Sequence, residues 1–147
     1  HPIAHAASRP DHPAVIMTGS GEQITYGEME AESNRFAHLL RAHGIKAGDA
    51  FAVLLENRIE FFTLIWGSQR AGTMLVPIST RLTAPEIAYI LKDSEAKLLI
   101  TSRQFDAVMP AVRCMTSMIS APAAWKACTA GSPVISSWTA PHMQPAW

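Results

Sequence analysis

Short apolar runs alternate with amphipathic segments along the first hundred residues of this chain. Runs at residues 14–17, 51–55, 73–76 and 97–100 are bounded by turn residues, which is typical of β-strands. The run at 51–55 shows no polar alternation, as expected of a strand that is covered on both faces of a parallel sheet. The alternation of strand and helix from residue 50 to 101 therefore predicts an α/β fold with mainly parallel strands and right-handed crossover helices.

The first 25 residues predict a short helical turn followed by a β-hairpin. Residues 3–8 have helical composition and are closed by Pro10, which cannot continue a helix. Residues 14–17 and 23–25 can pair as two strands across the turn signal Gly19-Ser-Gly21.

Two copies of the S/T-x-x-E pattern predict helix starts. In each copy the threonine hydroxyl can accept from the backbone N–H three residues later, and the glutamate carboxylate can accept from the threonine N–H. The pairs are Thr25 with Glu28 and Thr83 with Glu86. Apolar residues at helical spacing follow each pair, which predicts an amphipathic helix behind each cap.

Glycines and one asparagine set the other predicted helix ends. Gly44 is expected just after the first long helix, where a positive φ costs glycine little. Asn57 is expected to cap a helix over residues 58–71, and Gly72 is expected to end it. Because that segment is apolar on nearly every side, it predicts cover on more than one face.

The composition changes after about residue 105. Residues 106–147 contain no Leu, Glu, Phe, Tyr or Asn, yet they hold three of the four Trp, both Cys and half of the Pro. A Pro/Ala/Ser-rich loop or tail is one interpretation. We favour a frame-shift or truncated gene, because natural disordered tails are rich in charge and poor in Trp. The predicted division is an α/β subdomain at 1–105 and an irregular tail at 106–147, without packed structure from about residue 110.

Charge and cysteine content exclude several function classes. The formal net charge is zero, so no basic field predicts nucleic-acid binding. No apolar run reaches the roughly 18 residues of a membrane span, and the first residues do not resemble a signal peptide. Cys114 and Cys128 have no CxxC or zinc spacing, so we interpret them as reduced thiols of a cytoplasmic protein.

Few side chains suggest chemistry, and each has a simpler interpretation. His1 and His5, with His12 nearby, have the spacing of zinc ligands, but solvated histidines explain them better.

Arg81 follows a strand end and could face a substrate or CoA, although a loop salt bridge is the favoured role. Three aromatic residues could line a ligand cleft, but helical spacing favours core packing; they are Phe61, Phe62 and Trp66. His38 and His43 suit a helix C-terminus.

Four segments, in this order and spacing, resemble the opening of the AMP-dependent synthetase/ligase family, the adenylate-forming enzymes that include the acyl-CoA synthetases. The segments are Ile24-Thr-Tyr-Gly-Glu-Met29, Gly48-Asp49 followed by Glu56-Asn-Arg-Ile-Glu60, Arg70-Ala-Gly72 through Pro77, and residues 79–94. The resemblance covers about residues 1–105. It implies a large N-terminal domain whose first α/β subdomain begins in this chain.

The resemblance also implies an activity. Members of the family activate a carboxylic acid with MgATP to form an acyl-adenylate, and usually then transfer the acyl group to CoA. The resemblance implies that the acid is a fatty or related hydrophobic acid. The family needs a Ser/Thr/Gly-rich phosphate loop followed by Pro-Lys-Gly, an acid for magnesium and an Asp for the ribose. Gly19-Ser-Gly21 is too short for that loop, and residues 129–133 lack its second Gly and its Lys.

No catalytic, cofactor-binding or metal-binding residue is therefore assigned in this chain. The sequence is interpreted as a truncated ligase that is inactive alone, and whether it acts as an enzyme is left open. The alternative is a non-catalytic α/β binding or interaction module derived from that subdomain. The acid substrate and the oligomeric state are not predicted.

Overall fold

The computed structural model describes residues 2–117, which belong to two compact units. Within the described residues, the first unit comprises residues 2–49 and Asn57–Leu75, and the second comprises Ala50–Glu56 and residues 76–117. No helix within residues 2–117 is long and apolar enough to cross a membrane.

The described chain contains five helices and five strands. In order they are α1 Pro2–Ser8, β1 Pro13–Ile16, β2 Gln23–Thr25, α2 Tyr26–Ala42, β3 Ala50–Leu54, α3 Glu60–Ala71, β4 Met74–Pro77, α4 Ala84–Asp93, β5 Leu99–Thr101 and α5 Met109–Ser117, with a 3₁₀ turn at Arg103–Phe105 before α5. A second sheet, separate from the β1–β2 pair, has the strand order β4-β3-β5. Strands β3 and β5 are parallel, with Ala52 opposite Leu99. The α/β fold with parallel strands and crossover helices is thus confirmed.

The hairpin of the first unit is as predicted. Strands β1 and β2 are antiparallel, with Val15 opposite Ile24, and the register shifts between Pro13 and Val15. The turn between them ends at Gly21, whose φ of +74° lies in the left-handed region. Its N–H donates to the Met17 carbonyl at 2.8 Å, which closes the turn.

Helix α2 begins with the predicted capping box. The Glu28 N–H donates to Thr25 Oγ1 at 3.2 Å, and the Thr25 N–H donates to Glu28 Oε2 at 2.9 Å. Behind the cap, the helix buries the apolar residues Met29, Phe36 and Leu40 on one face.

Helix α3 begins later than predicted. The Asn57 cap is wrong, because the helix starts at Glu60 and its N-cap residue is Ile59, whose side chain makes no capping hydrogen bond. Ile59 is only 3 % exposed, so burial of this apolar side chain fixes the helix start instead of a polar cap. The predicted end is confirmed, since Gly72 is the C-cap in the left-handed conformation at φ +69°.

The fully buried residues of α3 follow helical spacing along one face. They are Glu60, Thr63, Leu64, Gly67 and Ser68. Phe62 is 37 % exposed, so the predicted cover on more than one face does not extend to this side chain. The apolar run at residues 73–76 forms strand β4, as predicted, but the strand lies at the edge of the described sheet, and Met74 is 57 % exposed.

The core of the second unit lies between the buried strand β3 and helices α4 and α5. All five residues of β3 are buried, as its unbroken apolar run predicts. The buried cluster consists of Ala52, Leu54, Ile78, Ile87, Leu91, Ala96, Met109 and Val112. Helix α4 starts at the second predicted capping box, with Glu86 Oε2 accepting from both the N–H and the O–H of Thr83 at 2.7 Å.

The expectation that packed structure is absent from about residue 110 is wrong for Met109–Ser117. These residues form α5, and Met109 and Val112, three positions apart, are 7 % and 1 % exposed in the core cluster. Pro110 lies in the first helical turn, where its missing N–H removes no internal hydrogen bond. Two apolar side chains are enough to anchor this short helix, and composition alone does not reveal them. The rest of the predicted tail lies outside the described residues.

Candidate functional site

The carboxyl ends of the parallel strands bring two polar side chains of the second unit together. Glu56 follows β3 and Ser102 follows β5, so both lie at the same edge of the sheet, which we call the carboxyl edge. The Ser102 hydroxyl donates to Glu56 Oε2 at 2.5 Å, and Ser102 is only 5 % exposed. Open α/β sheets bind ligands just beyond such strand ends, which makes this edge the first place to look for a site.

The chemistry of the pair does not fit a nucleotide phosphate. A carboxylate is negative, and the serine proton is already donated to it, so neither group offers a donor to another anion in this arrangement. Phosphate binding needs amide N–H groups or cations directed at the ligand. The observed pair instead links the ends of β3 and β5. Sequence reasoning missed it, because the two residues are 46 positions apart and only the sheet order makes them neighbours.

Arg81, the residue proposed to face a substrate or to form a loop salt bridge, lies in the loop after β4. The residue is exposed, and its backbone N–H donates to Ser79 Oγ at 3.3 Å. Its guanidinium forms no ion pair with any residue in the range 2–117, so the predicted salt bridge is not found in that range.

The glycine turn at residues 19–21 is a hairpin turn and not a phosphate cradle, as the sequence interpretation had it. The Gly21 N–H is used within the turn, and Ser20 Oγ accepts from the Glu22 N–H at 3.3 Å. Neither this turn nor the Glu56–Ser102 pair therefore offers the donors that the phosphates of ATP need. The other candidate loop, at residues 129–133, lies outside the described residues.

Two histidines near the start of the chain, His5 and His12, lie beside the aromatic ring of Tyr26. The His5 ring centroid lies 5.0 Å from that of Tyr26, and the His12 centroid lies 6.4 Å from it. Arg9 Nη2 donates to His5 Nδ1 at 3.2 Å, because a guanidinium group can only donate. Within residues 2–117 no group of three His, Cys, Asp or Glu side chains is arranged to hold a metal ion. His1 lies outside that range.

Helix α4 carries an apolar groove that sequence reasoning did not identify. The groove has a volume of about 420 Å³ and is lined by Leu82, Pro85, Glu86, Tyr89 and Ile90. Tyr89 is 65 % exposed, and this exposure of a large aromatic ring becomes evident only from the structure. The hydrogen bonds from the Thr83 hydroxyl and N–H lower the pKa of Glu86, which lies at the rim of the groove. The aromatic residues predicted as a cleft or as core, Phe61, Phe62 and Trp66, belong to the other unit.

Arg70 opens one of the segments that carried the family resemblance, and in the first unit it joins two helices. From α3 its guanidinium pairs with Glu30 of α2 and donates to Asn34 Oδ1 at 3.1 Å. The contact is partly buried, so this arginine has a structural role at the α2–α3 interface.

Comparison with known proteins identifies the chain. A sequence profile of the AMP-binding enzyme family matches residues 3–145. The chain belongs to the AMP-binding enzyme family. It is 39 % identical over 128 residues to the fatty acid–[acyl-carrier-protein] ligase ScoC of Streptomyces coeruleorubidus, a match that covers 84 % of this chain and 24 % of ScoC. It is 40 % identical over 100 residues to the long-chain-fatty-acid–CoA ligase FadD13 of Mycobacterium tuberculosis, covering 68 % of this chain and 20 % of FadD13.

Solved structures support the same assignment. The crystal structure of the inhibitor-bound N-terminal domain of FACL13 from Mycobacterium tuberculosis superposes with a TM-score of 0.73 at 35 % identity, covering 84 % of this chain and 30 % of that one. The chain spans a quarter or less of the length of the curated relatives named above. The family profile continues past residue 105, so it does not support the proposed frame-shift, which stays a prediction.

Proposed function

We propose that this chain forms the first α/β subdomain of a ligase that activates a fatty acid with ATP as an acyl-adenylate and passes the acyl group to a thiol. The observation that carries the proposal is the family match over residues 3–145, together with relatives named as fatty-acid ligases at 39 % and 40 % identity. The thiol acceptor is CoA in the name of one of these relatives and acyl-carrier protein in the name of the other.

The role of the described residues in that ligase is structural. Caps, glycine helix ends, the α2–α3 ion pair and the buried strand β3 account for most of the residues that carry the family pattern. At the carboxyl edge, the Ser102 hydroxyl is already donated to the Glu56 carboxylate, so this pair offers no donor to a phosphate. We therefore propose that the 147-residue chain alone does not form acyl-adenylates.

The test uses ATP–pyrophosphate exchange with palmitate. Three samples are compared: the purified 147-residue chain, ScoC, and a chimera in which this chain replaces the matching segment of ScoC. We expect background exchange from the chain alone and palmitate-dependent exchange from the chimera. Exchange by the chain alone would overturn its proposed inactivity. A folded chimera that lacks exchange while ScoC is active would overturn the proposed place of this chain in a fatty-acid ligase.

A second candidate is a non-catalytic α/β binding or interaction module, and the cluster of eight buried residues in the second unit favours it. Such a core could support independent folding. A sharp thermal transition of the purified chain with little binding of a hydrophobic dye would favour the module. A broad transition with strong dye binding would favour a subdomain that depends on the rest of a ligase.

A further inference from the structure

Charge is segregated along helix α2 of the first unit. The acidic residues Glu28, Glu30 and Glu32 lie in the first half of the helix, whereas no Asp or Glu occurs anywhere in residues 33–48. Five basic side chains are exposed in that second stretch. They are Arg35, His38, Arg41, His43 and Lys46, which we call the basic face.

Most of the basic face has no partner within the part of the chain that the structure describes. Only Arg35 forms an ion pair there, with the buried Glu32, and its own side chain stays 51 % exposed. The side chains of Arg41 and Lys46 form neither ion pairs nor hydrogen bonds within residues 2–117. These cations thus do not hold the described fold together.

The helix dipole explains only part of this arrangement. It favours cations in the last helical turn, and its effect fades beyond that turn. Arg41 occupies the last turn of α2, but Arg35 lies about two turns before the end and Lys46 lies beyond it. The absence of acidic residues over residues 33–48 extends on both sides of the last turn of α2, so the helix dipole explains it only within that turn.

We propose that the basic face docks the acidic helical surface of a protein partner, of the acyl-carrier-protein type. Arg35 and Arg41 are six residues apart, which separates them by about 9 Å along the helix axis, and Lys46 follows Arg41. A row of separated cations matches carboxylates that repeat along a partner helix, and such charge complementarity steers association. The inference rests on the proposed function, since it supplies that ligase with a carrier protein as acyl acceptor.

Other anionic partners fit this face less well. A membrane-binding helix needs exposed apolar side chains beside its cations. In α2, the apolar side chains of Met29, Phe36 and Leu40 are buried. A small phosphate compound needs donors that converge on one point, whereas these cations lie along a row. A nucleic-acid surface is usually accompanied by a net positive charge, and this chain has a formal net charge of zero.

The experiment measures binding of the 147-residue chain to a fluorescently labelled bacterial acyl-carrier protein, without ATP or fatty acid, at 50 and 300 mM NaCl. The test variant is Arg41→Glu/Lys46→Glu. The control is Arg81→Glu/Lys92→Glu, which makes the same change of charge at exposed positions in the other unit. We expect Kd to rise at least tenfold in the test variant and less than twofold in the control, with the salt dependence reduced only in the test variant.

Several results would overturn the proposal: no binding of the carrier protein, an equal loss in the control, or binding that salt does not weaken. Preferential binding to phosphatidylglycerol vesicles, lost through the same substitutions, would assign the face to a lipid surface. Circular dichroism verifies folding of each variant. The milder Arg41→Gln/Lys46→Gln variant, expected to raise Kd about threefold, keeps the test decisive if charge reversal disturbs α2.

Failure of this inference can be separated from failure of the proposed function. Binding uses no turnover, and the exchange assay uses no carrier protein. A chimera that activates palmitate while the basic face makes no difference to carrier binding would overturn the inference alone. Face-dependent carrier binding by a chain whose chimera is inactive would overturn the proposed function and leave the docking surface standing.

Discussion

Gly67 of α3 packs directly against Phe36 of α2, with no space for a side chain between them. A Cβ placed on Gly67 would lie 2.6 Å from Phe36 Cδ1 and 2.9 Å from the Ser33 carbonyl oxygen. Both distances are shorter than normal contacts, and the second involves backbone that cannot rotate away. The α2–α3 pair of the first unit therefore depends on a glycine in a helix interior, where glycine is otherwise unfavourable.

Replacement of this glycine should weaken the first unit. Gly67→Ala gains helix propensity of up to about 1 kcal/mol, but overpacking a close helix contact costs about 1–3 kcal/mol. Because the clash involves backbone, we expect the clash to dominate and the free energy of unfolding to fall, measured by urea denaturation. Gly19→Ala is the matched control, since a Cβ there would meet nothing within 4 Å. A Gly67→Ala variant as stable as the parent would show that the helices separate at little cost.

The capping box at the start of α2 should contribute measurably to stability. Thr25→Ala removes the oxygen that accepts from the Glu28 N–H, and the loss of such a cap costs about 1 kcal/mol. Thr25→Ser keeps the oxygen and should restore most of the loss. Thermal unfolding followed by circular dichroism measures both variants. Equal melting temperatures for the alanine and serine variants would contradict a capping role for this hydroxyl.

The structural features that the sequence predicted correctly are those that depend on residues within about one helical turn. The capping boxes at Thr25 and Thr83 and the helix end at Gly72 depend on neighbours at most a few residues away. The Asn57 cap failed because burial of Ile59, a tertiary effect, decided where α3 begins.

Contacts distant in sequence were not predictable from local pattern. The hydrogen bond between Ser102 and Glu56 exists only because β3 and β5 are neighbours in the sheet. The exposure of β4 likewise follows from its position at the sheet edge, and its apolar composition gives no sign of this. From the sequence, the candidate site could therefore be predicted only to lie at the strand ends, and the residues that meet there could not be named.

The two hydrogen bonds from Thr83 should make Glu86 titrate at a lower pH than an ordinary glutamate. These bonds lower the pKa of Glu86 below its ordinary value of 4.5, because they stabilise the carboxylate. A lowered pKa in the folded state means that the contribution to stability is present above about pH 4.5 and is lost as the pH falls through the folded-state pKa. Carboxyl ¹³C chemical shifts should show a Glu86 midpoint below 4.5 in the parent and a higher one in Thr83→Val. An unchanged midpoint in that variant would rule out the threonine hydroxyl as the main cause.

Packing of α5 gives the most direct test of where the folded part of the chain ends. Val112 is 1 % exposed in the core of the second unit, whereas Met115 on the same helix is 36 % exposed. Val112→Ala removes buried apolar surface and leaves a cavity, so it should lower the free energy of unfolding by about 1–3 kcal/mol. Met115→Ala, the control, should change it by less than about 0.5 kcal/mol, as is usual for surface positions. If urea denaturation finds both variants equal to the parent, α5 does not pack in solution, and the composition change near residue 105 marks the end of the folded subdomain after all.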